Sequence, residues 1–245
     1  LKSLMAKSSR HILKGGLNVA VIMDGNGRWA LSNSLNVSKG HQKGVQVVKD
    51  IVEEAVNQKV SSLTLYAFSS ENWSRPKAEI EAIKKLVLSA IEEQVPELIK
   101  QKVKLKFFGR HEDFGPVVAS KIQEAESDTN VPLPSLNLNV ALGYGGRQDI
   151  VDLTKKISLK VLSKEINTED INEEMIGNYS CVPEDKIDLL IRTGGDKRIS
   201  NFLLYQIAYA EICFVEKFWP DFEKDDFVSC INNFNKVSRR FGARI

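Results

Sequence analysis

The chain has 245 residues, with 34 Lys and Arg against 32 Asp and Glu, a net charge of +2 and 42% hydrophobic residues. That length and composition suit one large α/β domain or two small ones, with a core that needs no disulfide or metal staple. The near-neutral balance argues against a protein whose main task is neutralising nucleic-acid phosphates. The odd set Cys181, Cys213 and Cys230, without C-x-x-C spacing, suggests neither a disulfide framework nor a zinc site and favours a reducing compartment.

Leu1 to Lys14 mix Lys, Ser, Arg and Leu, which reads as a short amphipathic lead-in able to touch a membrane surface rather than as a signal peptide. No apolar run approaches the roughly 20 residues of a bilayer span, so a soluble protein is expected. Strand-length apolar runs then alternate with helix-length segments, which predicts βαβ units. The strands are expected at Leu17 to Met23, Ser61 to Phe68, Val103 to Phe108, Leu136 to Leu142, Ile187 to Ile191 and Ile212 to Val215. Several are nearly continuous in Val, Ile and Leu, as strands buried on both faces should be. Between them, Val45, Val48, Val52, Ala55 and Val56 keep helical spacing, and so do Ile80, Ile83, Leu86, Val87, Ala90 and Ile91. No internal repeat or low-complexity linker interrupts the pattern. The expectation is a lead-in over residues 1–16, then one α/β domain over 17–245, with a mostly parallel central sheet of about six strands flanked by helices. Ligand sites in such a sheet gather beyond the carboxyl ends of the strands.

The first strand runs into Asp24-Gly25-Asn26-Gly27-Arg28-Trp29, followed by Gly40-His41-Gln42-Lys43-Gly44. The glycines let the backbone turn tightly and aim N–H groups at an anion, while Asp24 would repel a phosphate unless a hard cation such as Mg²⁺ bridged the two. The spacing is neither G-x-G-x-x-G nor a Walker A loop, and a plain turn with Asp24 capping the next helix remains open. The second strand ends in Tyr66 to Pro76, a loop dense in hydroxyl, amide, aromatic and Arg groups. It reads either as a ligand loop or as Ser74 capping beside a core Trp73. After the fifth strand, Arg192 and Arg198 flank a Gly194-Gly195 turn with Ser200 just beyond. This is a candidate phosphate clamp, with surface ion pairs as the alternative. Glu211 lies in an apolar stretch and needs a partner, either a metal or an Arg. His41 ranks above His111 only for its glycine setting.

Together with Tyr144-Gly145-Gly146-Arg147 and Trp219-Pro220-Asp221, these strings resemble the cis-prenyltransferases, in order and over nearly the whole chain. The likeness is strongest to the synthases of long polyprenyl diphosphates. It implies Mg²⁺-dependent, repeated condensation of isopentenyl diphosphate onto farnesyl diphosphate, giving a lipid carrier precursor for glycan synthesis. It also implies a homodimer with an apolar tunnel, no nucleic acid, and a cytoplasmic location with peripheral membrane contact for product release, at the endoplasmic reticulum in a eukaryote.

Carried over by position, Asp24 resembles the metal-associated Asp, and Gly25, Asn26, Gly27 and Arg28 the cradle for the allylic diphosphate. Trp29 and His41 match flanking active-site positions. Phe68, Ser69, Glu71, Asn72, Trp73 and Arg75 match a mobile loop joining two sites. Arg192, Arg198 and Ser200 look like the isopentenyl diphosphate clamp, and Glu211 matches a second acidic metal ligand. Arg240-Phe241-Gly242 resembles a string that acts across the dimer interface, with Arg240 and Gly242 as its matching positions. The family commonly has an Arg where this chain has Val37, and Lys39 is the nearest substitute, although a point charge does not reproduce a bidentate contact. Gly143 stands where the family often has Asn. A non-catalytic partner subunit is the alternative, and the retained Asp24, Arg192, Arg198 and Glu211 argue against it.

Overall fold

The computed structural model describes residues 16–237. The lead-in, except for its last residue, and the Arg240 and Gly242 positions lie outside them. In chain order the elements are β1 (Leu17–Ile22), α1 (Asn26–Ser32), α2 (Val37–Asn57), β2 (Val60–Ser69), α3 (Lys77–Lys100), β3 (Val103–Phe108) and α4 (Pro116–Asp128). They continue with β4 (Leu136–Tyr144), α5 (Gly146–Leu162), α6 (Glu173–Tyr179), β5 (Leu189–Arg192), β6 (Glu211–Phe214) and α7 (Lys224–Phe234). All six expected strands are present, Val103–Phe108 with its expected bounds and the others with ends shifted by at most two residues. They form one sheet in the order β3-β4-β2-β1-β5-β6, parallel at every pairing.

The two-residue period divides the core. Val19, Val21, Leu63, Leu65, Leu105, Phe107 and Leu138 face one side, packed with Val47, Ile51 and Ala55 of α2, Ile83 and Ile91 of α3, and residues of α4 and α7. Ala20, Ile22, Tyr66 and Leu190 face the other, where Phe202, Leu203 and Ile207 of an irregular segment cover them. Strands covered on both faces explain the uninterrupted apolar runs of the sequence. The order places β1 centrally, between β2 and β5. The residues that follow β1 and β5 and end β2 therefore share one edge of the sheet, and there Asp24, Ser69 and Arg192 emerge. No helix among the described residues is long and apolar enough to cross a membrane.

Candidate active site

Asp24 leaves β1 in a turn closed by residues far away in sequence. Its N–H donates to Thr193 Oγ1 at 3.0 Å, and its carbonyl accepts from Thr193 Oγ1 at 2.8 Å and from the Trp219 N–H at 2.9 Å. Gly25 then takes φ 108°, which a side chain would resist, and α1 starts at Asn26. The first turn of α1 contains Asn26, Gly27 and Arg28, whose N–H groups precede the first helical bond, donated by Trp29 to Gly25 at 2.8 Å. Gly40 of α2 packs on this turn so tightly that a Cβ there would stand 2.1 Å from the Asn26 carbonyl oxygen.

Arg192, at the end of β5, is 3% exposed, and its guanidinium is shared among both loops. It donates to Asp24 Oδ2 at 2.8 Å, to Ser200 Oγ at 2.8 Å and to the Arg198 carbonyl. Its Nε is buried with no partner among the described residues. Arg28 Nη2 lies 3.1 Å from Asp24 Oδ1. Burial raises the pKa of Asp24, but the Arg192 hydrogen bond and the charges of Arg28 and Arg192 outweigh it, and the carboxyl sits below its ordinary 3.8. Asp196, in the turn between Arg192 and Arg198, also pairs with Arg28 at 3.2 Å, Arg192 at 3.7 Å and Arg198 at 2.9 Å.

These groups stand at the mouth of a cavity of about 450 Å³. Asp24, Asn26, His41, Ser69, Asn72, Arg75, Arg192, Arg198 and Ser200 contribute to its polar wall. Its interior is apolar. Leu65, Ala67, Leu105, Phe107, Leu138 and Val140 from the strands face Ile83, Leu86, Val87, Ala90, Ile91 and Leu98 of α3. Leu63, Val103 and Leu136, on the same faces of their strands, sit nearer the amino ends and pack as closed core.

His41 Nε2 approaches Glu79 Oε1 at 3.8 Å, and Arg75 Nη1 donates to the same oxygen at 3.0 Å. Burial and the charge of Arg75 lower the His41 pKa against the opposing pull of Glu79, so the imidazole is neutral at neutral pH. Glu79 was not foreseen, although its i, i+4 spacing from Arg75 was a readable signal. Ser69 and Asn72 are joined by the Ser69 N–H donating to Asn72 Oδ1 at 3.0 Å.

Other expected site residues face elsewhere. Phe68 and Trp73 stack edge-on at 5.0 Å, both against Phe114, as an aromatic support beneath the loop. Glu71 accepts from Asn201 at 2.8 Å and Ser70 at 3.0 Å, and although burial alone raises its pKa, the Asn201 bond and its companions lower it. Trp29 donates to Asp221 Oδ1 at 2.7 Å. Lys39 is exposed near the start of α2, and Val37 lies against the first turn of α1, its Cγ1 3.8 Å from where a Gly27 Cβ would be.

Glu211 lies apart from Asp24. It opens β6 opposite Leu189, which pairs with Val19, whereas Asp24 lies five residues beyond Val19. At about 3.3 Å per residue the two positions are roughly 16 Å apart along the strands, too far for one ion to touch both carboxylates within a protomer. The apolar stretch around Glu211 is an edge strand, and its carboxylate is half-buried, so the burial that seemed to demand a metal partner is incomplete. Among the described residues no group of three or more His, Cys, Asp or Glu is placed to hold a metal. The donor set fits instead an Mg²⁺ shared between one ionised carboxylate, Asp24, and substrate phosphates.

Cys213 of β6 and Cys230 of α7 bring their sulfurs within 3.3 Å, as free thiols.

Comparison with known proteins agrees with this geometry. Residues 22–242 match the prenyltransferase family described as undecaprenyl diphosphate synthase. The chain is 42% identical over 229 residues to the ditrans,polycis-undecaprenyl-diphosphate synthase ((2E,6E)-farnesyl-diphosphate specific) of Escherichia coli K12, covering 93% of this chain and 90% of that one. An isoprenyl transferase of Aquifex pyrophilus is 42% identical over 92% of this chain and 95% of its own. Among solved structures, the lavandulyl diphosphate synthase of Lavandula x intermedia in complex with dimethylallyl diphosphate superposes with a TM-score of 0.90 at 30% identity. The match covers 93% of this chain and 98% of that one. A probable undecaprenyl diphosphate synthase of Campylobacter jejuni gives 0.75 at 33% identity over 91% and 97%. With a family match over residues 22–242 and relatives aligned over more than nine tenths of the sequence, the chain belongs to the undecaprenyl diphosphate synthase family of cis-prenyltransferases.

Proposed function

We propose that this cis-prenyltransferase condenses isopentenyl diphosphate repeatedly onto farnesyl diphosphate, forming a long-chain cis-polyprenyl diphosphate. The observation that carries the reading is one cavity with a charged mouth and an apolar interior. A diphosphate needs the first and an isoprenoid tail the second.

In this reading the N–H groups of the first turn of α1, with Arg28, hold the allylic diphosphate, and Arg192, Arg198 and Ser200 hold isopentenyl diphosphate. Arg192 is suited to its part because β5 buries it and three acceptors fix its plane before any substrate arrives. Asp24 would hold Mg²⁺, which supplies neutralisation of charge growing on the leaving diphosphate. The isopentenyl double bond attacks the allylic carbon as the carbon–oxygen bond breaks, and a proton then leaves the new chain. A neutral His41 at the wall serves as a hydrogen-bonding group rather than a cation. The apolar interior excludes water from the allylic carbon and so suppresses hydrolysis.

The reading extends to a homodimer, with Arg240 and Gly242 acting across the interface, and to contact with a membrane surface when the product leaves. A non-catalytic subunit would have no use for a preset Asp24, Arg192 and Ser200 cluster. The test is incubation of the protein with Mg²⁺, farnesyl diphosphate and labelled isopentenyl diphosphate. Label should enter solvent-extractable lipid, and chelation of the metal should stop it. A folded protein that leaves all label in the aqueous phase refutes the reading.

A further inference from the structure

Three guanidinium groups and two carboxylates meet where Arg28, Arg192 and Arg198 converge, and among the described residues Asp196 is the one carboxylate paired with all three. Its contact with Arg198 is bidentate, Nη1 to Oδ1 at 3.0 Å and Nη2 to Oδ2 at 2.9 Å, the fork geometry a phosphate would take. The backbone is built to aim it there. Gly194 and Gly195 take φ 88° and 78°, and a Cβ on Gly194 would stand 2.7 Å from Arg28 Nη2. Arg192 is locked by Asp24 and Ser200, whereas Arg198 is 63% exposed and free to change partner.

We infer that Asp196 is an internal counter-anion of the clamp, a positioning residue that competes with bound diphosphate for Arg28, Arg192 and Arg198. The inference rests on the reading of those arginines as the diphosphate clamp. Its carboxylate holds the guanidiniums in convergence between turnovers, surrenders Arg198 to an incoming diphosphate, and retakes it as the inorganic diphosphate product leaves. The charges give the direction. Three cations against two carboxylates leave one net positive charge for an anion, and removing Asp196 leaves two. Loss of a like charge a few ångströms from the ligand strengthens anion binding by roughly tenfold at the near-aqueous dielectric of a solvent-open site.

The experiment compares wild type, Asp196→Asn and Asp196→Glu by calorimetric titration with inorganic diphosphate in metal-free buffer, alongside KM for isopentenyl diphosphate and the melting temperature. Asp196→Asn should bind inorganic diphosphate about tenfold tighter and show a lower KM, together with stronger product inhibition. Asp196→Glu keeps the charge and should stay near wild type. If Asp196 merely propped up the loop, Asp196→Asn would bind more weakly. An unchanged or weaker affinity in Asp196→Asn, with wild type binding and turning over, overturns the counter-anion role alone. Absence of diphosphate binding by wild type overturns the clamp reading as well.

Discussion

Arg192 Nη2 stands 2.8 Å from Asp24 Oδ2, so a buried guanidinium ties the turn after β1 to the end of β5. The two diphosphate sites proposed here are therefore one electrostatic unit, since the carboxylate that would hold the metal also orients the cation that would hold the second substrate. Substituting either residue disturbs both.

Asp24→Asn should lower turnover by 10²-fold or more, about 3 kcal/mol of transition-state stabilisation. It should also destabilise the fold by about 1–3 kcal/mol, because Arg192 keeps its buried charge with one partner fewer. The folded-state pKa of Asp24 is depressed below 3.8, so the pair contributes fully above that value and is lost as pH falls through the folded pKa. Denaturant titrations should therefore show a gap between wild type and Asp24→Asn at pH 7 that narrows below about pH 4. A variant with normal turnover refutes the role of Asp24, and a pH-independent gap refutes the ion pair as its cause.

Val37→Arg should tighten farnesyl diphosphate by about 1.5–3 kcal/mol, since position 37 abuts the first turn of α1 and a guanidinium there adds a charge-assisted contact. Starter affinity, measured by titration of the folded variant, decides the matter. No gain would show that Lys39 or another group already serves.

Ala90→Phe separates cavity wall from plain core. Ala90 is half-buried and lines the cavity beside Ile83, Leu86 and Ile91. A ring there should enter open space, leaving the melting temperature near wild type and shortening the product. In a closed core it would cost roughly 1–3 kcal/mol by overpacking. A destabilised enzyme that still makes full-length product removes Ala90 from the wall.

Cys213 should be the thiol that alkylates near neutral pH. Hydrogen bonding from Cys230 brings its pKa down to about 7. Iodoacetamide labelling followed by peptide mapping should place the mid-range pH dependence on Cys213. Preferential modification of Cys181 at pH 7 contradicts it.

The strands were legible because burial on both faces leaves nearly unbroken Val, Ile and Leu, and the loops at their carboxyl ends were legible because Gly, Arg and Ser cluster there. Asp196 stood inside a recognised string but gained its meaning only from the approach of Arg28, 168 residues away. Sequence does not reveal at which end of a ladder a residue sits; strand register does, and it places Glu211 away from Asp24 within the protomer. Phe68 and Trp73 read as loop residues for a ligand, yet Phe114, more than forty positions on, claims both as a packing partner. The Cys213 and Cys230 contact likewise needed β6 and α7 to meet, which no local spacing announces.

The central claim is that one cavity binds two diphosphates and extends an isoprenoid chain into its apolar interior with cis geometry. Carbon-13-labelled isopentenyl diphosphate, incubated with the protein, Mg²⁺ and farnesyl diphosphate, tests it directly when the extracted lipid is sized by mass spectrometry and its new double bonds are assigned by NMR. The account predicts a series of chains longer than the starter, every added double bond cis. Label confined to starter-length compounds, or added double bonds that are trans, would contradict it.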